Sequence, residues 1–268
     1  MPPTHKPRLF RSPWARRWAV AAALLIALLA LPQLGAAGPT YVSGPISSDT
    51  VWTPTGSPYI LTGDVIVLPG VLLRILSGVE VKLAATDDQA GGNYPTNTDL
   101  IIQGRLETVG TLGSPVVFTA HSTALHGAQW GEIALHSDNN IISYAEIKYA
   151  TYGVRIYGTA GTPRSHNTIT ATEFQKCGAD KVVDDGPPCT GGGVDEIGGA
   201  IRGEYVNNSS FTDLVIRNGE RGIWLENSDG NTIQGNMIRS LQQSAIRLSG
   251  DSDNNLVAEN TIYDILDY

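Results

Sequence analysis

The feature that most constrains this chain is a spacing. In Asn140-Ile141-Ile142, Asn167-Thr168-Ile169, Ser209-Ser210-Phe211, Asn231-Thr232-Ile233 and Asn255-Leu256-Val257, an amide or hydroxyl residue stands two places before an apolar one. Five residues later comes a second apolar residue: Ile147, Phe174, Ile216, Ile238 or Ile262. A third follows a small residue, as in Gly153-Val154, Ala200-Ile201, Gly222-Ile223 and Ala245-Ile246. Phe211 to Ile233 is 22 residues, Ile233 to Val257 is 24 and Ile223 to Ile246 is 23. A fixed period in this range means stacked units, each burying its apolar side against its neighbours.

The units are made of strands. Ile223-Trp224-Leu225 and Ile246-Arg247-Leu248 alternate with a period of two, and no window carries a helical period. Charged residues are only 16% of the chain and 30 of 268 residues are Gly, which suits short strands joined by turns. A leucine-rich repeat has a similar length but needs a Leu framework that is missing, and a sandwich needs hairpin turns, for which Asn218-Gly219 is the lone candidate. Phe174 to Ile201 is 27 residues where seven or eight is the rule, so about 20 residues are inserted near 177–198.

Gly222-Ile223-Trp224-Leu225-Glu226-Asn227-Ser228 and Gly230-Asn231-Thr232-Ile233-Gln234-Gly235-Asn236 resemble the repeat of secreted right-handed parallel β-helix proteins, the pectin-lyase-like fold. Earlier segments, such as Ser57-Pro58-Tyr59-Ile60-Leu61-Thr62-Gly63-Asp64-Val65 and Pro115-Val116-Val117-Phe118-Thr119-Ala120, are similar to the entry coils of bacterial surface β-helices. The resemblance covers about residues 45–268 and implies an all-β, single-stranded solenoid of about eight coils with three short parallel sheets. It also implies that Asn140, Asn167, Ser209, Asn231 and Asn255 stack as a ladder in the tight turns.

Stacking turns sequence period into surface rows about 4.8 Å apart. Arg155, Arg202, Trp224 and Arg247 each follow an inward apolar residue and fall in one exterior row. Trp stacks on a sugar ring and Arg holds a carboxylate or sulfate, so this row is a candidate glycan site. The same four side chains could instead stack on each other and cover the sheet. In the insert, Asp180, Asp184, Asp185, Asp195 and Glu196 beside Gly191-Gly192-Gly193 offer oxygen ligands for Ca²⁺, although a solvated acidic loop has the same composition. His121, His126 and His136 carry no metal or general-base spacing.

No catalytic residues are assigned. Polygalacturonase-like hydrolases group an Asn-Thr-Asp, an Asp-Asp, a Gly-His-Gly and an Arg-Ile-Lys on neighbouring coils. Here Asn97-Thr98-Asp99 and Asp184-Asp185 stand far apart and the other two elements are missing. The expected role is a carbohydrate-binding, adhesive or structural module needing no cofactor. The alternative is an acidic-polysaccharide lyase, epimerase or hydrolase of the same fold.

Residues 1–37 read as an export signal: five basic residues and no acid, the apolar run Ala19–Leu31, and Gly35-Ala36-Ala37 before a cut at Gly38. The apolar run is too short for a membrane span, so the β-helix of 38–268 is expected to be secreted, surface-displayed or periplasmic, with no span after cleavage. In that oxidising setting Cys177 and Cys189, the only cysteines, are expected to pair and staple the insert. Beyond residue 37 the count is 13 basic against 26 acidic residues, a formal −13, which argues against nucleic acid and anionic membranes. The last segment, Asn260–Tyr268, stops within a coil without a polar cap, so the domain is expected to continue further or to meet a partner end to end.

Overall fold

The computed structural model describes residues 38–87, 92, 94–122, 125, 127–178 and 198–266. The chain divides into two units, 1–37 and 38–268, and every strand named below belongs to the second. Alternation makes the strands: in Glu80–Leu83, Val81 and Leu83 are buried while Glu80 and Lys82 face out.

The fold opens with β1 (Thr40–Ile46), β2 (Thr50–Trp52) and β3 (Tyr59–Val67). The next turns are β4 (Leu72–Leu76), β5 (Glu80–Leu83) and β6 (Leu100–Ile102), then β7 (Arg105–Val109), β8 (Val116–Ala120) and β9 (Trp130–Leu135). They are followed by β10 (Ile141–Ser143), β11 (Ala145–Lys148) and β12 (Ala150–Tyr157), with β13 (Arg164–Ser165) in the corner beyond. Next come β14 (Thr168–Thr170), β15 (Glu173–Gln175), β16 (Gly199–Glu204) and the short β17 (Val206–Asn207). The remaining coils are β18 (Ser210–Thr212), β19 (Val215–Gly219) and β20 (Ile223–Glu226), then β21 (Thr232–Gln234), β22 (Met237–Leu241) and β23 (Ile246–Ser249). β24 (Leu256–Ala258) and β25 (Thr261–Ile265) are the last described strands.

Each strand pairs in parallel with the strand one coil away, as β14 does with β10 and β18, so the chain winds as a right-handed parallel β-helix. The first face is an eight-stranded sheet, β2-β4-β7-β10-β14-β18-β21-β24. The second face runs β5-β8-β11-β15-β19-β22-β25 and the third β6-β9-β12-β16-β20-β23. The second and third faces are one continuous sheet, because β3 bends across their corner: Tyr59–Leu61 pair with β5 and Val65–Val67 with β6. β1 pairs along both halves of β3 and covers that end.

The repeat positions point inward and stack. Ile142, Ile169, Phe211 and Ile233 line the first face, Ile147, Phe174, Ile216 and Ile238 the second, and Val154, Ile201 and Ile223 the third, none more than 2% exposed. Burying each such side chain stabilises by about 1.5–3 kcal/mol. In the last coil Val257 and Ile262, at the same phases, are each 46% exposed.

The corners are closed by side chains that satisfy backbone amides of the preceding coil, as a tight turn inside a protein requires. At the corner between the third and first faces, the Asn140 N–H donates to Asn167 Oδ1 (3.0 Å), Asn167 N–H to Ser209 Oγ (3.1 Å), Ser209 N–H to Asn231 Oδ1 (2.9 Å) and Asn231 N–H to Asn255 Oδ1 (2.8 Å). A second ladder, not read in the sequence, joins Leu214 N–H to Asn236 Oδ1 and Asn236 N–H to Asn260 Oδ1 at the next corner. The residue before each rung of the first ladder is left-handed: Asn139, His166, Asn208, Gly230 and Asn254 have φ of 61°, 58°, 49°, 65° and 56°. Asn and Gly tolerate that backbone best, which is why they recur there.

Candidate functional site

The third face carries the chemistry. Pairing sets Arg155 opposite Arg202, Arg202 opposite Trp224 and Trp224 opposite Arg247, so these four residues form one outward row, preceded by Ala134. Two residues on, a second row runs Tyr157, Glu204, Glu226 and Ser249.

The rows are knitted together. The Arg202 guanidinium lies 3.6 Å from the Trp224 ring centre, and the Arg247 guanidinium, one coil beyond the ring, lies 4.4 Å from it. Arg202 Nη2 donates to Glu204 (3.2 Å) and Glu226 (2.5 Å), Arg155 Nη2 to Glu204 (3.2 Å), and Trp224 Nε1 to Ser249 Oγ (3.0 Å). Arg202 and Trp224 are consequently only 5% and 8% exposed. Both faces of Trp224 are occupied by guanidinium groups, which leaves no bare ring for a sugar. Arg247 lies at the surface and forms no ion pair among the described residues.

Aromatic rings flank the first coils of this row. Arg155 sits 5.4 Å from the Tyr152 ring and 4.8 Å from the Tyr157 ring, and His136 stacks flat on Tyr157 at 4.6 Å. Burial, and then the nearby Arg164 charge, hold the His136 imidazole below its ordinary value, so it is a neutral stacking partner.

Beneath this end of the face, at the corner between the second and third faces, stands a column of acids. Asp64, Asp99 and Glu132 are 1%, 0% and 0% exposed. Asp64 Oδ1 accepts the Asp99 N–H (2.7 Å), Asp99 Oδ1 accepts the Glu132 N–H (2.8 Å), and the Tyr157 hydroxyl donates to Glu132 Oε1. Gly131 makes room for it: a Cβ there would stand 1.6 Å from Asp99 Oδ1. Burial, then the charge of Glu132 and of Asp64, pushes the Asp99 carboxyl up to about 8, and burial raises Asp64 to about 6. Both shifts favour the protonated form.

The fragment Asn97-Thr98-Asp99 therefore contributes one rung of this column, while Asp184-Asp185 lies outside the described residues. So do His126, Cys189 and the Ca²⁺ candidates Asp180, Asp184, Asp185, Asp195 and Glu196. Among the described residues no group of three His, Cys, Asp or Glu is placed to hold a metal. Cys177 has no disulfide partner among the described residues, and Cys189, with which it was expected to pair, lies outside them. The Cys177 side chain turns into the coil, 3% exposed, with Sγ directed at the Ile147 carbonyl (3.6 Å), and burial pushes the thiol up to about 12.

Asp64, Glu132 and Tyr157 were not singled out by the sequence, and His136 was read there only as lacking a metal or general-base spacing. The available signal was an acid one residue before each early third-face segment, Asp64 before Val65, Asp99 before Leu100 and Glu132 before Ile133, at intervals of 35 and 33 residues.

A helical solenoid of three parallel faces, with a stacked amide ladder and a decorated outer face, defines the class as a parallel β-helix protein. Residues 113–267, more than half of the chain, match the family described as right handed beta helix region. The chain belongs to that family. Comparison with curated proteins finds no match, and comparison with solved structures finds none either. Among the described residues no helix is long and apolar enough to cross a membrane.

Proposed function

We propose that the protein is an exported carbohydrate-binding β-helix that holds an acidic glycan along its third face without cleaving it. The observation that supports this reading is Arg247: an exposed guanidinium, seated over Trp224, in register with Arg202 and Arg155 and with no ion pair among the described residues. A guanidinium held flat on an indole is oriented in advance, so less freedom is lost when it grips a carboxylate or sulfate. Arg155 and Tyr157, half-buried three coils away, extend the contact along the coil axis.

The buried column argues for a scaffold over turnover. Asp64 and Asp99 spend an oxygen each on the next coil's backbone N–H, and neither is open to solvent. One feature favours the second reading, a hydrolase or lyase: burial and the charge of Glu132 raise the Asp99 carboxyl, the direction a general acid needs. Titration of the full chain against acidic and neutral polysaccharides tests both. Binding without product, with Arg247→Gln weakening it about tenfold, or roughly 1.4 kcal/mol, is expected. Release of reducing ends or unsaturated uronate, lost in Asp99→Asn, would replace the binding reading with the enzymatic one.

A further inference from the structure

A cavity of about 310 Å³ lies at a different place, the corner between the first and second faces. Pockets that take small ligands begin at about this size. It is built by a step in the repeat. Tyr144, Ala171 and Asp213 hold the same left-handed corner position in three successive coils, with φ of 48°, 47° and 55°. Ala171, small between a ring and a carboxylate, leaves a notch one coil wide, about 4.8 Å on each side. The turn between β7 and β8, closed by the Thr111–Ser114 pairing, stands up as the end wall and contributes Leu112 and Pro115.

Two residues sit here at an energetic disadvantage. Leu112 is 91% exposed at the rim of the cavity, an apolar side chain with almost no packing. Tyr144 is 40% exposed in a backbone conformation that Gly or Asn adopts with less strain, so the corner itself has no need of a ring. Gly110 permits it, since a Cβ there would stand 2.0 Å from the Tyr144 carbonyl oxygen.

Three acids complete the lining: Glu146 and Glu173, in register on the second face, and Asp213. Lys148 meets Glu146 at 2.5 Å and Arg217 meets Glu173 at 2.6 Å, whereas Asp213 is exposed and has no cation partner among the described residues. The cavity therefore has an apolar platform, two carboxylates fixed in orientation by their own cations, and one excess negative charge.

The geometry points to an amino-sugar site: the ring of a protonated hexosamine unit lies against Tyr144 and Leu112, its ammonium meets Asp213, and its hydroxyls donate to Glu146 and Glu173. An acidic sugar is repelled by the excess charge, and a neutral one leaves Asp213 without a partner. The lining spans three coils, from Tyr144 through Ala171 to Asp213, so the unit can belong to a chain. This site is separate from the third face, and either can fail alone.

The test is calorimetric titration of the full chain with a glucosamine tetramer, its N-acetylated counterpart, a glucose tetramer and trilysine. The glucosamine tetramer is expected to bind at least tenfold more tightly than the other two sugars. Asp213→Asn, which suits the left-handed backbone and keeps the fold, is expected to erase that difference, and Tyr144→Asn to weaken every sugar. Equal binding of the charged and acetylated tetramers, or none by any sugar, overturns the inference. So does trilysine binding as tightly and indifferently to Tyr144→Asn, which would mean recognition of charge alone. Displacement of the glucosamine tetramer by an acidic oligosaccharide bound at the third face would also overturn it, because the two would then share one site.

Discussion

Asp99 works against the rest of its neighbourhood when it ionises. Its folded carboxyl titrates near 8 against an ordinary 3.8, so the native chain keeps a proton that the unfolded chain releases. The stabilisation it brings is complete below about pH 4 and is lost as pH rises through about 8; Asp64, raised to about 6, adds a loss at lower pH in the same direction. Asp99→Asn preserves the acceptor for the Glu132 N–H and removes the charge. The expected outcome, read from urea midpoints at pH 5 and pH 9, is that the wild type loses stability over this interval and the variant loses visibly less. An unchanged difference between the two pH values would show that the column does not titrate in this range.

At the scale of the strand, β16 and β20 show how a charged row is made safe on a sheet. Arg202 neutralises Glu204 and Glu226 and covers one face of Trp224. Arg202→Ala is expected to destabilise the protein by about 2 kcal/mol, from a lost cation–π contact and two half-exposed carboxylates left without their shared cation. Arg202→Lys, which keeps charge but not the flat stack, should fall between, as measured by thermal unfolding. The row itself was legible, because parallel pairing repeats the same phase in every coil and alternation says which side a residue faces. Its closure was one of two readings the residues left open. Whether Trp224 meets solvent or two guanidiniums depends on side-chain directions that a period does not carry. The acid column stayed hidden for another reason: long connections between β5 and β6 and between β8 and β9 stretch the interval to 35 and 33 residues, so Asp64, Asp99 and Glu132 fall outside the period of 22 to 24 that announces the later rows.

For the whole molecule, stacking makes stability approximately a sum over coils and their contacts. Removing Ser209–Gly230, 22 residues, joins Asn208 to Asn231 with both corner conformations already matched. The shortened chain is expected to fold with an unchanged β-type circular dichroism spectrum per residue and a urea m-value lower by roughly one eighth, one coil's share of the surface exposed on unfolding. Loss of cooperative unfolding would refute this modularity.

Among the described strands, the three longest separations in sequence, 84–99, 121–129 and 176–198, all precede third-face strands at one corner, whereas the later coils cross that corner in a few residues. Because strand register is set by the rungs on either side, a corner can absorb added length without displacing a single rung. That edge is the molecule's graft port, where recognition segments can be exchanged by evolution or by hand while the stack beneath keeps its count.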